Sequence, residues 1–239
     1  MNANFDSPET IRARFNNMVD DFGSEIIDTV PGYNEAMEII SDLVGQQTFR
    51  PLKIIDLGCG LGFLSKRIAE KVGVAEFVLV DFAEKMLQRA EQNLAPLELK
   101  IDYICKDFRE YELDESCCHA IVSSLALHHL RPGEKEFFYS KIYKALKPGG
   151  IFINFDTYAE PISGWEVLVR DNWSAFLHNK LGWSYKKITD LYLEIFVGED
   201  SPETVANEFN ILTSAGFQTI SLLFRLHLCG LMIAQKNYA

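Results

Sequence analysis

The sequence predicts an α/β fold in which a mostly parallel sheet carries helices on both faces. Three observations lead there. Between residues 53 and 155, short apolar runs alternate with stretches of helical periodicity, the pattern of crossover units feeding a parallel sheet. The first run, Lys53 to Leu57, empties into a glycine-rich turn, Gly58-Cys59-Gly60-Leu61-Gly62. The last two runs, 217–224 and 226–234, have almost no loop between them. They must therefore pair antiparallel, because a parallel pair needs a crossover of about a dozen residues or more.

Each element follows from local pattern. Residues 8–30 repeat apolar side chains at helical spacing (Ile11, Phe15, Met18, Val19, Phe22), and 34–44 do so again after a Pro31-Gly32 break. Lys53 to Leu57 is the first buried strand, followed by a helix over 63–72. Glu76 to Val80 is the second strand, ending at Asp81, with a helix from Glu84 to about Asn93. Lys100 to Cys105 and Cys118 to Ser123 are the third and fourth strands. A helix over 134–146 is closed by Pro148-Gly149-Gly150, and Ile151 to Phe155 is the fifth strand. The rhythm then changes: 157–200 reads as helical and aromatic, with Trp165, Trp173, Trp183, Tyr185 and Tyr192. A helix over 204–215 is stopped by Gly216 before the closing strand pair. The chain thus divides into N-terminal helices covering the active site (1–45), a cofactor-binding core (46–156), a helical lid insertion (157–200), and a final helix with two strands of the core sheet (201–239).

Bulk properties bound the function. The 239 residues are 48% hydrophobic and 24% charged, an ordinary globular balance. With 23 basic against 34 acidic residues the net charge is −11. That disfavours nucleic acid as a partner, since such binding rests on Lys and Arg neutralising phosphates, and favours a small or cationic one. The five cysteines form no C-x-x-C pair and no zinc-finger spacing. No metal site is expected, because Cys117 and His119 share a strand face without a third ligand. With no secretion-signal pattern and no run long enough for a membrane span, the expectation is a reduced cytoplasmic protein, monomer or homodimer.

The glycine turn carries the chemistry. Gly58, Gly60 and Gly62 stand at a strand-to-helix junction, where glycine permits a tight turn and lets backbone approach a ligand. In an open sheet, the crevice outside the strand ends is where ligands bind. Asp81 ends the neighbouring strand, so its carboxylate comes beside the turn. There it either accepts from the hydroxyls of a ribose or only caps the following helix. Asp107 with Phe108 ends the third strand and suits an adenine, the acid facing an exocyclic amine and the ring packing on a base. A solvent-facing turn is the alternative. The third glycine comes one residue early for the G-x-G-x-x-G of dinucleotide enzymes, and no Lys-Ser/Thr follows the glycines as in a Walker loop.

DLGCGLG, the Val80–Leu87 segment VDFAEKML, the Lys106–Phe108 segment KDF, SSLALHHL from Ser123 to Leu130, and LKPGG from Leu146 to Gly150 occur in that order. Together they resemble the class I S-adenosylmethionine-dependent methyltransferases over about residues 35–156. The resemblance implies a Rossmann-like seven-stranded sheet ordered 3-2-1-4-5-7-6 with strand 7 antiparallel. It implies S-adenosyl-L-methionine as cofactor and S-adenosyl-L-homocysteine as product. It further assigns Asp56 and Gly58 to the methionine end, Asp81 to the ribose, Asp107 with Phe108 to the adenine, and Ser124 or Leu125 to the neighbourhood of the sulfonium, with Cys59, Gly60, Gly62, Phe82 and Met86 as further cofactor-binding candidates.

A sulfonium-borne methyl is already activated, so such an enzyme works chiefly by aligning the acceptor and excluding water. A base is needed only where the acceptor loses a proton. His129 and His128, after the fourth strand, are candidates, against a purely loop-fixing role. The acceptor, expected to be a small molecule of apolar or aromatic character, is assigned to Phe15, Phe22 and Tyr33 of the N-terminal helices and to Tyr158, Trp165, Trp173 and Tyr192 of the insertion. Tyr33 is favoured because it follows a rigid Pro-Gly turn. Arg170, Lys186 and Lys187 are candidates for an acidic substrate group. Val30-Pro31-Gly32-Tyr33 and the helical insertion also resemble carboxy-S-adenosylmethionine synthase, a tRNA-modification enzyme that uses prephenate to carboxylate the methyl group. That family's motif reads DLGCSLG, however, where this chain has Gly60. A cofactor-binding protein without catalysis is the remaining alternative.

Overall fold

The computed structural model describes residues 8–131, 133–198 and 200–238, without the side chains of 8, 20–27 and 194–198. The side chain of Phe22, assigned above to the acceptor pocket, lies outside what is described. In chain order the elements are α1 (Pro8–Thr29), α2 (Tyr33–Gly45), β1 (Leu52–Leu57), α3 (Phe63–Val72), β2 (Ala75–Asp81), α4 (Glu84–Leu94), β3 (Lys100–Cys105), β4 (Cys118–Ser124) and α5 (Glu134–Ala145). There follow β5 (Leu146–Thr157), α6 (Ser163–Leu181), α7 (Tyr185–Gly198), α8 (Val205–Ala215), β6 (Thr219–Leu226) and β7 (Cys229–Gln235).

The seven strands form one sheet in the order β3-β2-β1-β4-β5-β7-β6. β1 runs parallel to both β2 and β4, β4 parallel to β5, and β7 antiparallel to β5 and β6. The predicted α/β class, strand order and reversed last strand are all observed. Because β1 and β2 are buried on both faces, they read as continuous apolar runs rather than as alternations. Successive side chains still point to opposite layers. Ile54 packs with Ile40 of α2, Ile68 of α3 and Leu94 of α4. Its neighbour Ile55 packs with Phe138 and Ile142 of α5 and Leu212 of α8. Burying each such side chain contributes about 1.5–3 kcal/mol, which is why two apolar layers suffice to fix the sheet between its helices.

One boundary differs from the prediction. The fifth strand begins at Leu146, not after the Pro-Gly-Gly triplet, and α5 stops at Ala145. Leu146 pairs with Cys118, the register shifts, and regular pairing resumes at Ile151 opposite Ala120. The triplet turns through Gly149, at φ +76°, and is held by the end of β7, where Gly149 N–H donates to Lys236 O (3.0 Å) and Lys236 N–H to Gly150 O (2.9 Å). Pro148 is tolerated because it sits at the irregularity, where no ladder bond needs its missing N–H.

Between α5 and α8 the apolar layer contains a buried charge pair. Lys135 Nζ lies 3.2 Å from Glu208 Oε2, each side chain about 2% exposed, and the Tyr139 hydroxyl donates to the other Glu208 oxygen. Such a pair fixes the pairing of two helices more than it stabilises them, since desolvation offsets the attraction. Among the described residues, no helix is long and apolar enough to cross a membrane.

The turn after β1 has the least freedom to change. Gly58 has φ +71°, and a Cβ there would stand 2.3 Å from the Cβ of Ala126 in the turn after β4. Gly58→Ala is expected to lower stability by at least about 1–2 kcal/mol from the left-handed backbone alone, with the clash added. Urea unfolding reads this, and an unchanged midpoint would mean that the two turns are free to separate.

Candidate functional site

β1 is flanked by β2 on one side and β4 on the other, so the connections leaving their carboxyl ends diverge and open a crevice. The cleft there spans about 790 Å³, its open mouth included. Asp56, Gly58, Cys59 and Gly60 line it from β1 and its turn; Asp81, Phe82 and Met86 from β2 and α4; Phe108 from the loop after β3; Ser124, Leu125 and His129 from the end of β4 and the turn beyond. Phe15 of α1 and Tyr33 of α2 close the remaining side.

The turn's shape is held by backbone bonds. Gly58 and Cys59 N–H both donate to Val80 O, at 2.8 and 3.1 Å, locking the turn onto β2. Asp81 joins it from that strand: Oδ2 accepts from Gly60 N–H and Oδ1 from Ala83 N–H, both at 2.8 Å. The ribose and helix-cap readings of Asp81 are therefore compatible, since one carboxylate braces the turn, opens α4 and still faces the cleft. Burial drives its pKa up to about 6, against the pull of these backbone donors. Asp56 is 1% exposed and accepts from Ser65 Oγ at 2.7 Å. Burial pushes its pKa up to about 7, and the Asp81 charge adds to the rise. On the opposite wall Leu125 takes φ +55°, a strained conformation for a branched side chain, anchored by its N–H to Phe155 O at 2.8 Å.

All the sequence-assigned cofactor residues except Gly62 and Asp107 border this cleft. Gly62 instead opens α3 at φ +74°, pressed against Ala90 and Leu94. The Asp107 carboxylate is engaged by Arg109, whose Nε reaches Oδ1 at 2.9 Å and whose Nη2 reaches Oδ2 at 2.5 Å. Phe108 alone of that pair enters the wall.

The two histidines part company. His129 lines the cleft, edge-on to Phe15 with ring centroids 5.9 Å apart. His128 lies behind it, 6% exposed, with Nδ1 2.5 Å from Asp156 Oδ1. Burial opposes its charge, but the Asp200 and Asp156 carboxylates outweigh burial and hold its pKa up at about 9. Tyr33 is 7% exposed, its hydroxyl pushed to about 12 by burial and then by Asp56; it is a donor at neutral pH and not a base.

The aromatic insertion does not do what its composition suggests. None of the described residues of 157–200 lines the cleft. Tyr158 is buried in the α5–α8 layer. Trp173 is buried against the other layer, donating to Thr29 O at 3.3 Å, and Trp165 is 55% exposed. Tyr192 donates to Glu166 at 3.1 Å. Arg170 covers the Tyr192 ring, Lys186 pairs with Asp190 and Lys187 sits over Trp183, so no basic group of the insertion borders the cleft. The physical reason is packing: these rings bind the two lid helices to each other, to α1 and to the core. Cover comes from α1, which docks on α4 through Phe15 against Phe82 (5.9 Å) and Lys85 N–H to Asn16 Oδ1 (3.0 Å).

His119 serves the far end of the sheet, accepting from Lys53 N–H at Nδ1 (2.9 Å) and stacking on Phe49. Asp156 and Asp200 were not singled out in the sequence. Asp156 follows directly on the fifth apolar run, a position equivalent to that of Asp81, and so carried a usable signal. Asp200 carried none, because only folding brings it beside His128.

The comparisons agree with this geometry. Residues 54–150 match a family model described as a methyltransferase domain. A protein of Shewanella loihica named carboxy-S-adenosyl-L-methionine synthase is 26% identical, over 90% of this chain and 88% of its own. A Nautilia profundicola protein of the same name is 28% identical over 87% of each. Human N-acetylserotonin methyltransferase, solved with S-adenosylmethionine, has a TM-score of 0.61 at 18% identity, covering 95% of this chain and 56% of that one.

The raised pKa of Asp56 has a consequence for stability. A folded value above the unfolded one favours folding fully only below the unfolded pKa, and the benefit is lost as pH rises through the folded value. Asp56→Asn is therefore expected to flatten the decline in unfolding free energy between about pH 4 and pH 7. Urea titrations across that range measure it, and an unaltered slope would show that Asp56 is not the group responsible.

Proposed function

We propose, for a chain with the class I S-adenosylmethionine-dependent methyltransferase fold and a methyltransferase-domain match over residues 54–150, that it binds S-adenosylmethionine in this cleft and transfers the methyl group to a small-molecule acceptor. The observation that carries the reading is the pair of buried carboxylates, Asp56 and Asp81, facing one apolar cleft beside a glycine turn. In this reading Asp81 accepts from the ribose hydroxyls while its backbone partners hold it in place. Asp56 meets the ammonium of the methionine moiety, a cation that repays its desolvation. Phe82, Met86 and Phe108 sandwich the adenine. Ser124 and Leu125 lie beside the sulfonium, and Phe15, Tyr33 and His129 receive the acceptor.

Catalysis then needs little chemistry from the chain. Holding the nucleophile in line with the S–CH3 bond, in a site shielded from water, supplies most of the acceleration. His129 is the side chain on the cleft wall suited to take a proton from an acceptor that must lose one.

The curated relatives' name favours a second reading, in which the cofactor's own methyl group is carboxylated. Against it stands Gly60 in place of the serine of that family's motif. Gly60 adopts φ +50° while donating to Asp81, a conformation comfortable for glycine and costly for serine. Mass spectrometry of the small-molecule products separates the two. Methyl transfer yields S-adenosylhomocysteine and a methylated acceptor, whereas synthase activity with prephenate yields a cofactor heavier by one carboxyl group. Formation of the carboxylated cofactor would replace the first reading by the second.

Calorimetric titration with S-adenosylmethionine and S-adenosylhomocysteine tests binding itself. Asp81→Ala is expected to weaken both by about tenfold or more, since hydrogen bonds to a charged group contribute about 1.5–3 kcal/mol. Unchanged affinity in a folded variant would remove Asp81 from the ribose.

A further inference from the structure

Behind the cleft wall, three groups that ligate metals converge. His128, His129 and Asp200 each direct one donor atom to a common region, all within 4.8 Å of one another. His128 Nε2 stands 3.4 Å, and His129 Nδ1 3.5 Å, from the same Asp200 oxygen. Both separations exceed the usual N–H···O range of about 2.7–3.2 Å. They match the edge of a tetrahedron whose ligand bonds are about 2.0–2.1 Å, the length of zinc–imidazole and zinc–carboxylate bonds.

The surroundings are those of a built ligand set. His128 Nδ1 donates to Asp156 at 2.5 Å, which fixes the ring and points Nε2 toward Asp200, where loss of its proton would free a lone pair for an ion. A carboxylate behind a ligating imidazole is the common second partner of metal-bound histidines. Asp156 is itself fixed by Thr157 N–H at 2.9 Å and Asn154 Nδ2 at 3.3 Å. Asp200 is positioned by its chain: Ser201 N–H donates to His128 O at 2.8 Å, and Ala159 N–H to Glu203 O at 3.0 Å, fastening the segment along the end of β5. The Asp156 and Asp200 side chains are each 2% exposed, so the three donor atoms converge in a buried, negatively charged setting.

We propose that His128 Nε2, His129 Nδ1 and Asp200 Oδ1 bind one divalent first-row metal ion of the zinc type, with Asp156 orienting His128. Two imidazoles and a carboxylate leave the fourth position of such an ion to a solvent or substrate oxygen. His129 belongs both to this set and to the cleft wall, so the ion lies at the back of the cleft, and His129 bound to it no longer serves as a base. A proton on His128 is the competing occupant, as it satisfies the same carboxylates.

The test uses the full chain, stripped with a chelator and returned to chelator-free buffer without cofactor. It is titrated with zinc chloride by calorimetry and with cobalt chloride while the visible spectrum is recorded. One ion per chain is expected, with cobalt ligand-field bands and no thiolate charge-transfer band. His129→Gln and Asp200→Asn should each weaken uptake at least tenfold, and Asp156→Asn by about ten- to a hundredfold. Absence of saturable uptake, a thiolate band pointing to the cysteines, or full affinity in the variants would each overturn the site. If Asp200→Asn fails to fold by circular dichroism, His129→Gln decides, because its side chain is 19% exposed. With cofactor left out throughout, failure here is separate from failure of the methyl-transfer reading.

Discussion

The Asp81 carboxylate is the constraint on which the site depends. One oxygen holds the glycine turn through Gly60 N–H, and the other opens α4 through Ala83 N–H. Together with the two N–H bonds from Gly58 and Cys59 to Val80 O, it welds the ends of β1 and β2 into a rigid floor. A charged side chain at the end of a buried strand is costly to desolvate, and both Asp81 and Asp56 show it in raised pKa values. Structures retain such groups where a ligand compensates them, and a floor carrying two carboxylates suits a ligand that is cationic at one end and rich in hydroxyls at the other.

A second polar network, at the end of β5, does for the rear of the cleft what Asp81 does for the floor. Asp156 reaches His128, Lys135 reaches Glu208, and Tyr139 closes on Glu208 from α5. The network ties the turn after β4, α5, α8 and the 200–204 segment to one strand end. Buried polar sets of this kind contribute little net stability but admit few alternative arrangements. The position of His129, and hence the shape of the cleft beside it, follows from that specificity.

The fold was legible because its signals are local. Buried parallel strands announce themselves as short apolar runs such as KIIDL and EFVLV, and Gly58, Gly60 and Asp81 sit at fixed offsets from them. The cleft-lining residues around the glycine turn were legible for the same reason. What spacing does not show is where side chains point. Asp107 ends the third strand as expected, and in the structure Arg109, two residues on, engages its carboxylate. His128 and His129 are adjacent in sequence, but one lines the cleft and the other is buried behind it, a division made by the short helical turn over Leu127–His129. The partnership of Asp200 with them spans the whole insertion and leaves no trace in spacing.

The aromatic insertion shows why ring composition alone does not say what the rings pack against. A cluster of large rings satisfies equally well a lid over a ligand and a core between helices, and burial chooses the core when the helices can reach one another. Trp173 and Tyr192 pack ring on ring at 6.2 Å, and Trp173 is bonded to the end of α1. The insertion therefore acts on the cleft at one remove, by setting where α1 lies. Phe15 is the residue through which that placement is felt, since it meets both Phe82 and His129, each at 5.9 Å. A chain that keeps the floor and changes the insertion would then shift Phe15 and reshape that wall of the cleft without touching Asp56 or Asp81.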